Sequence, residues 1–225
     1  MRNETEARME LLAVYQRMVD TGLCQGKSGN VSLRYNDGML ISPSGAAPEN
    51  MQASDLVYVP FAPIETETTA SEPGTSMAER LPSSEWRFHQ ALLLDRPEFN
   101  CILHSHSPNA TALAVHGKGM PAFHYMVAIA GGADIRCAPY ALFGSEALSE
   151  FVLAAMSNRK ACLLAHHGLI AAGENTSSAL AIMREVEFLA GIYLKACQLG
   201  EPPTLSEQEM RAVIAKFKHY GTNTA

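Results

Sequence analysis

The stretch Cys101-Ile-Leu-His-Ser-His-Ser-Pro108 decides how the rest of the chain is read. If the backbone from Cys101 to His106 is extended, the period of two along a strand turns His104 and His106 to one side, within reach of one small cation. The plain alternative is a pair of polar residues at the end of a buried strand. Two further stretches bear on that choice. In Leu81-Pro-Ser-Ser-Glu-Trp-Arg-Phe-His89 a carboxylate, Glu85, stands at the start of a helix. In Leu163-Leu-Ala-His-His-Gly-Leu-Ile170 a short apolar strand ends in a third source of imidazole. Three histidines and one carboxylate suit a divalent metal, with zinc the first choice because it takes three nitrogens and leaves a position for substrate. The spacing matches no helical zincin and no zinc finger, so the fold must assemble the site.

With 225 residues and 47% hydrophobic content, the chain is long enough for one substantial core and short for two, so residues 1–225 are expected to form a single domain. Charged residues at 18% argue against disorder. A net charge of −6 gives no support for a nucleic-acid or membrane partner and leaves a small molecule as the expected ligand. Five cysteines (Cys24, Cys101, Cys137, Cys162, Cys197) lack any Cys-x-x-Cys pairing and sit among apolar neighbours, which reads as reduced core residues in a cytoplasmic protein. The N-terminus, with Arg2, Glu4, Glu6 and Arg8, reads as neither signal nor transit peptide, and no apolar run approaches membrane-spanning length.

Apolar residues at helical period fill 5–21, stopped by Gly22. The loop Gln25-Gly-Lys-Ser-Gly-Asn30 leads into a strand at 31–35, and Asn36-Asp-Gly38 closes a hairpin with 39–42. Ser42-Pro-Ser-Gly45 is a second small loop; each loop is either an ordinary tight turn or part of an anion cradle, and neither matches a Walker or dinucleotide fingerprint. A strand follows at 55–61, then an aperiodic acidic stretch, 62–81, read as a mobile surface loop. Ser83 or Ser84 is expected to cap the next helix, so that hydroxyls and free N–H groups gather beside Glu85, where a phosphate would bind. Beyond the histidine strand come a short helix at 108–115, an apolar segment at 122–130, a strand at 135–138 and a helix from Ser145 to about Met156. His116 and His124 read as turn or edge residues. Strand arms at 161–165 and 169–172 flank the His166-His167-Gly168 bend, where glycine permits close approach of backbone. A long helix at 177–199 and a last one, opened by the capping box Ser206-Glu-Gln-Glu209 and fading at Tyr220-Gly221, complete the chain. The hairpin and uneven strand spacing argue against a doubly wound parallel sheet. The expected fold is an α/β layered domain with a mixed, largely antiparallel central sheet flanked by helices.

Taken in order, Gly29-Asn-Val-Ser32, Ser42-Pro-Ser-Gly45, Pro82-Ser-Ser-Glu-Trp-Arg-Phe-His89, His104-Ser-His106, His124-Tyr-Met126 with Gly131-Gly132, Ala138-Pro-Tyr-Ala-Leu-Phe-Gly144 and His166-His-Gly-Leu-Ile170 resemble class II aldolases of the aldolase/adducin family. The fuculose-phosphate branch is the most similar, and the likeness runs from about residue 8 to Tyr220. The resemblance implies Zn2+ held by His104, His106 and His167, the last preferred to His166 because it directly precedes the glycine. It implies Glu85 as a further metal ligand and as the acid/base, and Gly29, Asn30, Ser44, Gly45, Ser83 and Ser84 as the phosphate site. It also implies Tyr125, from a neighbouring subunit, on the aldehyde side, and a homotetramer with interfacial active sites. The implied reaction cleaves a ketose 1-phosphate such as L-fuculose 1-phosphate to dihydroxyacetone phosphate and an aldehyde through a metal-stabilised enediolate. Lys27 departs from the branch, which has a hydroxyl residue there. Related 4-epimerases, dehydratases and decarboxylases are the enzymatic alternatives, with the glutamate at position 85 favouring the aldolase. The alternative outside catalysis is an adducin-like binding module, whose relatives have lost the histidines that this chain keeps.

Overall fold

The computed structural model describes residues 3–62 and 80–217. Most of the acidic stretch 62–81 and the end of the last helix at Tyr220 lie outside the described residues. Seven strands, β1 (Asn30–Tyr35), β2 (Gly38–Ile41), β3 (Val57–Pro60), β4 (Cys101–Ser105), β5 (Cys137–Ala138), β6 (Ala161–Leu164) and β7 (Gly168–Gly173), form one sheet in the order β3-β2-β1-β4-β7-β6-β5. Every pairing is antiparallel except β5 with β6. This is the mixed, largely antiparallel α/β layering expected from the sequence.

The central strands β4 and β7 are buried along their whole length, which is why they read as nearly continuous apolar runs. Alternate residues supply two cores. Leu33, Leu103 and Ala171 face the helices α1 (Glu4–Asp20), α3 (Pro108–Ala114) and α5 (Thr176–Cys197). Ile41, Ile102 and Ile170 face α2 (Trp86–Asp95) and α4 (Glu146–Met156). His104 shares the parity of Ile102 and so points toward the α2 side, near the end of the sheet where that helix begins. The final helix, α6 (Glu207–Phe217), opens on the expected capping box, with Glu209 N donating to Ser206 Oγ and Ser206 N to Glu209 Oε2. Ser145 caps α4 by accepting from Leu148 N at 3.2 Å. Among the described residues no helix is long and apolar enough to cross a membrane.

The local departures have physical causes. Neither Ser83 nor Ser84 caps α2, whose N-cap is Glu85. Ser83 N is taken by Ser42 O and Ser44 N bonds Leu81 O, so the chain is still extended against the Ser42 loop where the helix was expected to begin. Ser83 Oγ instead accepts from Glu85 N at 3.3 Å. The strand expected at 55–61 shortens to β3 because Ala53–Asp55 winds into a 3-10 turn, closed by Asp55 Oδ2 accepting from Gln52 N. The apolar segment at 122–130 contains the 3-10 helix Tyr125–Ala130. The strand at 135–138 reduces to β5 plus a single bridge from Ile135 to Met120. Cys24, Cys101 and Cys162 are buried as expected, whereas Cys197 at the end of α5 is exposed.

Candidate metal centre and active site

His104 stands near the end of β4, opposite Asn30 of β1 and Ile170 of β7. Its Nδ1 lies 3.0 Å from Leu169 O, so this nitrogen donates to the carbonyl and Nε2 presents its lone pair to the site. His106 follows the strand end and brings its Nε2 within 3.1 Å of that of His104. At the β6–β7 bend His166 takes a left-handed φ of 56° and stays exposed, while His167 turns inward to a ring-centroid distance of 4.7 Å from His104. One nitrogen from each of His104, His106 and His167 lies within 4.8 Å of the others. Gly168 makes this approach possible, because a Cβ there would lie 2.3 Å from Ser105 O.

Glu85, buried at the start of α2, places Oε2 3.3 Å from His104 Nε2 and Oε1 3.4 Å from His167 Nε2. These contacts are not ion pairs. Burial, with His106 nearby, pushes His104 down to about 3 despite its bond to Leu169 O. Burial and His104 push His167 down to about 4 against the pull of Glu85, and burial lowers His106 as well. Glu85 Oε1 is buried without a hydrogen-bond partner. Neutral imidazole nitrogens and an unsatisfied carboxylate oxygen thus converge on one point, a donor set that fits a divalent cation and little else.

The centre opens on a cavity of about 380 Å³. Gly29, Asn30, Ser44, Gly45, Ser83, Ser84, Glu85, His106 and His167 all line it, with His104 buried beneath. Among the described residues the backbone N–H groups of Gly29, Gly45 and Ser84 have no hydrogen-bond partner. Gly29 has φ +80°, and a Cβ on it would meet Cys24 Sγ and His104 O at 2.6 Å, so the loop can pass the metal strand only with glycine here. The buried Tyr15 hydroxyl donates to Gly29 O at 2.8 Å and braces the same loop. Lys27 is the one lysine or arginine among the described lining residues, and Tyr140, Ala141 and Phe143 form an apolar wall. Tyr125 is not brought to this cavity. It is 51% exposed and lines a separate one with Met126, Val213, Lys216 and Phe217.

Two features were absent from the sequence reading. The Asn30 side chain donates to Glu85 Oε2 at 2.9 Å, leaving its second N–H for a ligand. His89, fully buried, lies 2.6 Å from Asn30 Oδ1 through Nε2 and 2.7 Å from Ser32 Oγ through Nδ1. The signal available was the four-residue interval from Glu85 to His89 at a helix start, which puts both on one face.

Residues 9–194 match the family model for the class II aldolase and adducin N-terminal domain. The chain is 44% identical over 216 residues to the 5-methylthioribulose-1-phosphate/5-deoxyribulose-1-phosphate aldolase of Rhodospirillum rubrum, covering 96% of this chain and 93% of that one. It is 44% identical over 221 residues to L-fuculose phosphate aldolase of Escherichia coli strain K12, covering 95% and 98%. A solved L-fuculose 1-phosphate aldolase superposes with a TM-score of 0.84 at 36% identity, covering 95% of this chain and 96% of that one.

Proposed function

Because the chain belongs to the class II aldolase and adducin family and is a carbon–carbon lyase of that family, we propose that it cleaves a ketose 1-phosphate, with zinc, to dihydroxyacetone phosphate and a short aldehyde. The observation that carries this reading is the joining of two half-sites in one cavity: the three histidines with Glu85 on one side, and on the other the N–H groups of Gly29, Gly45 and Ser84, which have no partner among the described residues. Amides and hydroxyls in such a cradle suit a phosphate. The Ser44, Ser83 and Ser84 hydroxyls add donors, and Lys27 adds the positive charge that a dianion needs beside an acidic chain.

His104, His106, His167 and Glu85 would hold the zinc, which supplies a Lewis acid for the charge left when the carbon–carbon bond beside the ketone breaks. Glu85 exchanges the proton at the carbon released from that bond, since the carboxylate lies between the metal histidines and the cavity. Tyr125 of a neighbouring copy handles the proton on the aldehyde oxygen. Its exposure and its place outside the cavity of its own chain support this division of labour, with the copies arranged in a homotetramer as part of the proposal. The apolar wall of Tyr140, Ala141 and Phe143 suits an aldehyde ending in a methyl or methylthio group. L-Fuculose 1-phosphate, 5-deoxyribulose 1-phosphate and 5-methylthioribulose 1-phosphate share that end. Release of dihydroxyacetone phosphate from this panel tests the proposal: cleavage of at least one member is expected, and cleavage of none refutes it.

A further inference from the structure

We propose that His89 is a positioning residue for this reaction: through Asn30 it orients the hydrogen bond that holds the Glu85 carboxylate. The inference rests on the function proposed above and on a chain of four buried side chains. Ser32 and His89 are wholly inaccessible to solvent, and Asn30 and Glu85 are 6% exposed. Asn30 and Ser32 stand two apart on β1 and so share a face of the sheet, and Glu85 and His89 stand one turn apart at the start of α2. The two pairs meet between strand and helix, in a layer otherwise filled by Met39, Ile41, Phe88 and Ile102.

The direction of the chain follows from the acceptor at its end. An ionised carboxylate only accepts, so the group within 2.9 Å of Glu85 Oε2 is the Asn30 amide nitrogen, and Asn30 Oδ1 is turned away. That oxygen needs a donor, which makes the hydrogen on His89 reside at Nε2, 2.6 Å away. His89 Nδ1 is then an acceptor, and the Ser32 hydroxyl donates to it at 2.7 Å. Burial holds His89 neutral, with the one donor and one acceptor that the chain requires. An apolar residue at 89 would leave Asn30 Oδ1 without its donor and free the amide to rotate, so that its N–H no longer fixes the Glu85 carboxylate in its place beside His104 and His167.

The test compares His89→Leu, His89→Gln and Ser32→Ala with the unsubstituted protein. Glutamine carries an NH2 donor group and an oxygen acceptor and can restore both bonds, whereas leucine restores neither. In the imidazole 1H–15N spectrum of metal-free protein, the resonance lost in His89→Gln is expected to be a neutral ring with hydrogen on Nε2. At full zinc occupancy His89→Leu is expected to lower kcat by about 10–100-fold, with a smaller rise in KM, because Asn30 loosens while the Gly29, Gly45 and Ser84 amides and the serine hydroxyls of the cradle are untouched. His89→Gln is expected to recover most of the loss, and Ser32→Ala to cost only a few-fold. A hydrogen on Nδ1, a folded His89→Leu with kcat within twofold, or a folded His89→Gln no better than leucine overturns the proposal. If His89→Leu does not fold, the wild-type spectrum and the glutamine variant decide. If the unsubstituted protein cleaves no ketose 1-phosphate, only the proposed function falls. Zinc affinity, about tenfold weaker in His89→Leu and restored in His89→Gln, then decides the role of His89 together with the spectrum.

Discussion

Glu85→Gln is the substitution whose outcome the structure specifies most closely. The Asn30 amide donates to the position of Oε2, so glutamine must place its oxygen there and its nitrogen where Oε1 stood. That nitrogen falls 3.4 Å from His167 Nε2 and donates to the same lone pair that a metal would use. The variant therefore folds with an added internal hydrogen bond and a melting temperature at or slightly above that of the parent. Its zinc affinity falls, by about tenfold on the scale of changes around metal ligands. With zinc resupplied in excess, turnover is still expected to be ~10²–10⁴ lower, the usual contribution of general acid/base catalysis, which is about 3–5 kcal/mol of barrier. Turnover, zinc content and melting temperature are measured on one preparation, with and without added zinc. Turnover that returns to the parent level once zinc is saturating removes Glu85 from proton transfer and leaves it a ligand alone.

His106→Ala is expected to lose most of its metal, and a His104/His106/His167 triple alanine variant with full zinc occupancy would sink the assignment. Ser84→Ala is expected to raise KM more than it lowers kcat, because a phosphate contact is kept throughout the reaction; a change confined to kcat contradicts the cradle. Lys27→Ala is expected to raise KM at low ionic strength only, so that parent and variant converge in 1 M salt; a loss unaffected by salt rules out the charge. For metal-free protein the pH dependence has a definite sign. Folded His104 and His167 protonate only near 3 and 4, against 6.5 for an ordinary histidine, so the unfolded chain binds more protons and stability falls as pH drops from about 6.5 toward 4. Equal denaturation midpoints at pH 7.5 and pH 5 would contradict this.

Much of this architecture was legible because local signals agreed. The Asn36 turn, the Ser145 cap and the Ser206 capping box each name their own neighbours, and the structure makes each one. Part of the histidine side was visible as well, since His104 and His106 are two residues apart and the His166-His167-Gly168 bend offered a third imidazole, although only the family resemblance singled out His167. What could not be read was register. The pairing of Asn30 with His104 across β1 and β4 is what brings the Asn30 amide to Glu85, and no local rule links those positions. The helix start was misplaced for a similar reason, because the backbone of Ser83 is claimed by Ser42, a partner distant in sequence. Read from the sequence alone, His89 has no role, because its meaning depends on two strand residues beneath it, Asn30 and Ser32.

The strand order carries a consequence for how this protein acquires its chemistry. β4, which bears His104, pairs with β1 and β7, neither of them its neighbour along the chain. Asn30, Glu85, His104 and His167 therefore meet only after the longest loops have closed, the slow and entropically costly part of assembling such a sheet. A nascent chain emerging through β4 alone cannot complete the trio of imidazoles, and neither can a fragment ending before the β6–β7 bend. Capture of the ion becomes a signal that the sheet is finished, and by mass action it stabilises only chains that have reached that state. In refolding, the appearance of metal binding is expected to coincide with the last and slowest phase rather than with the early formation of helices.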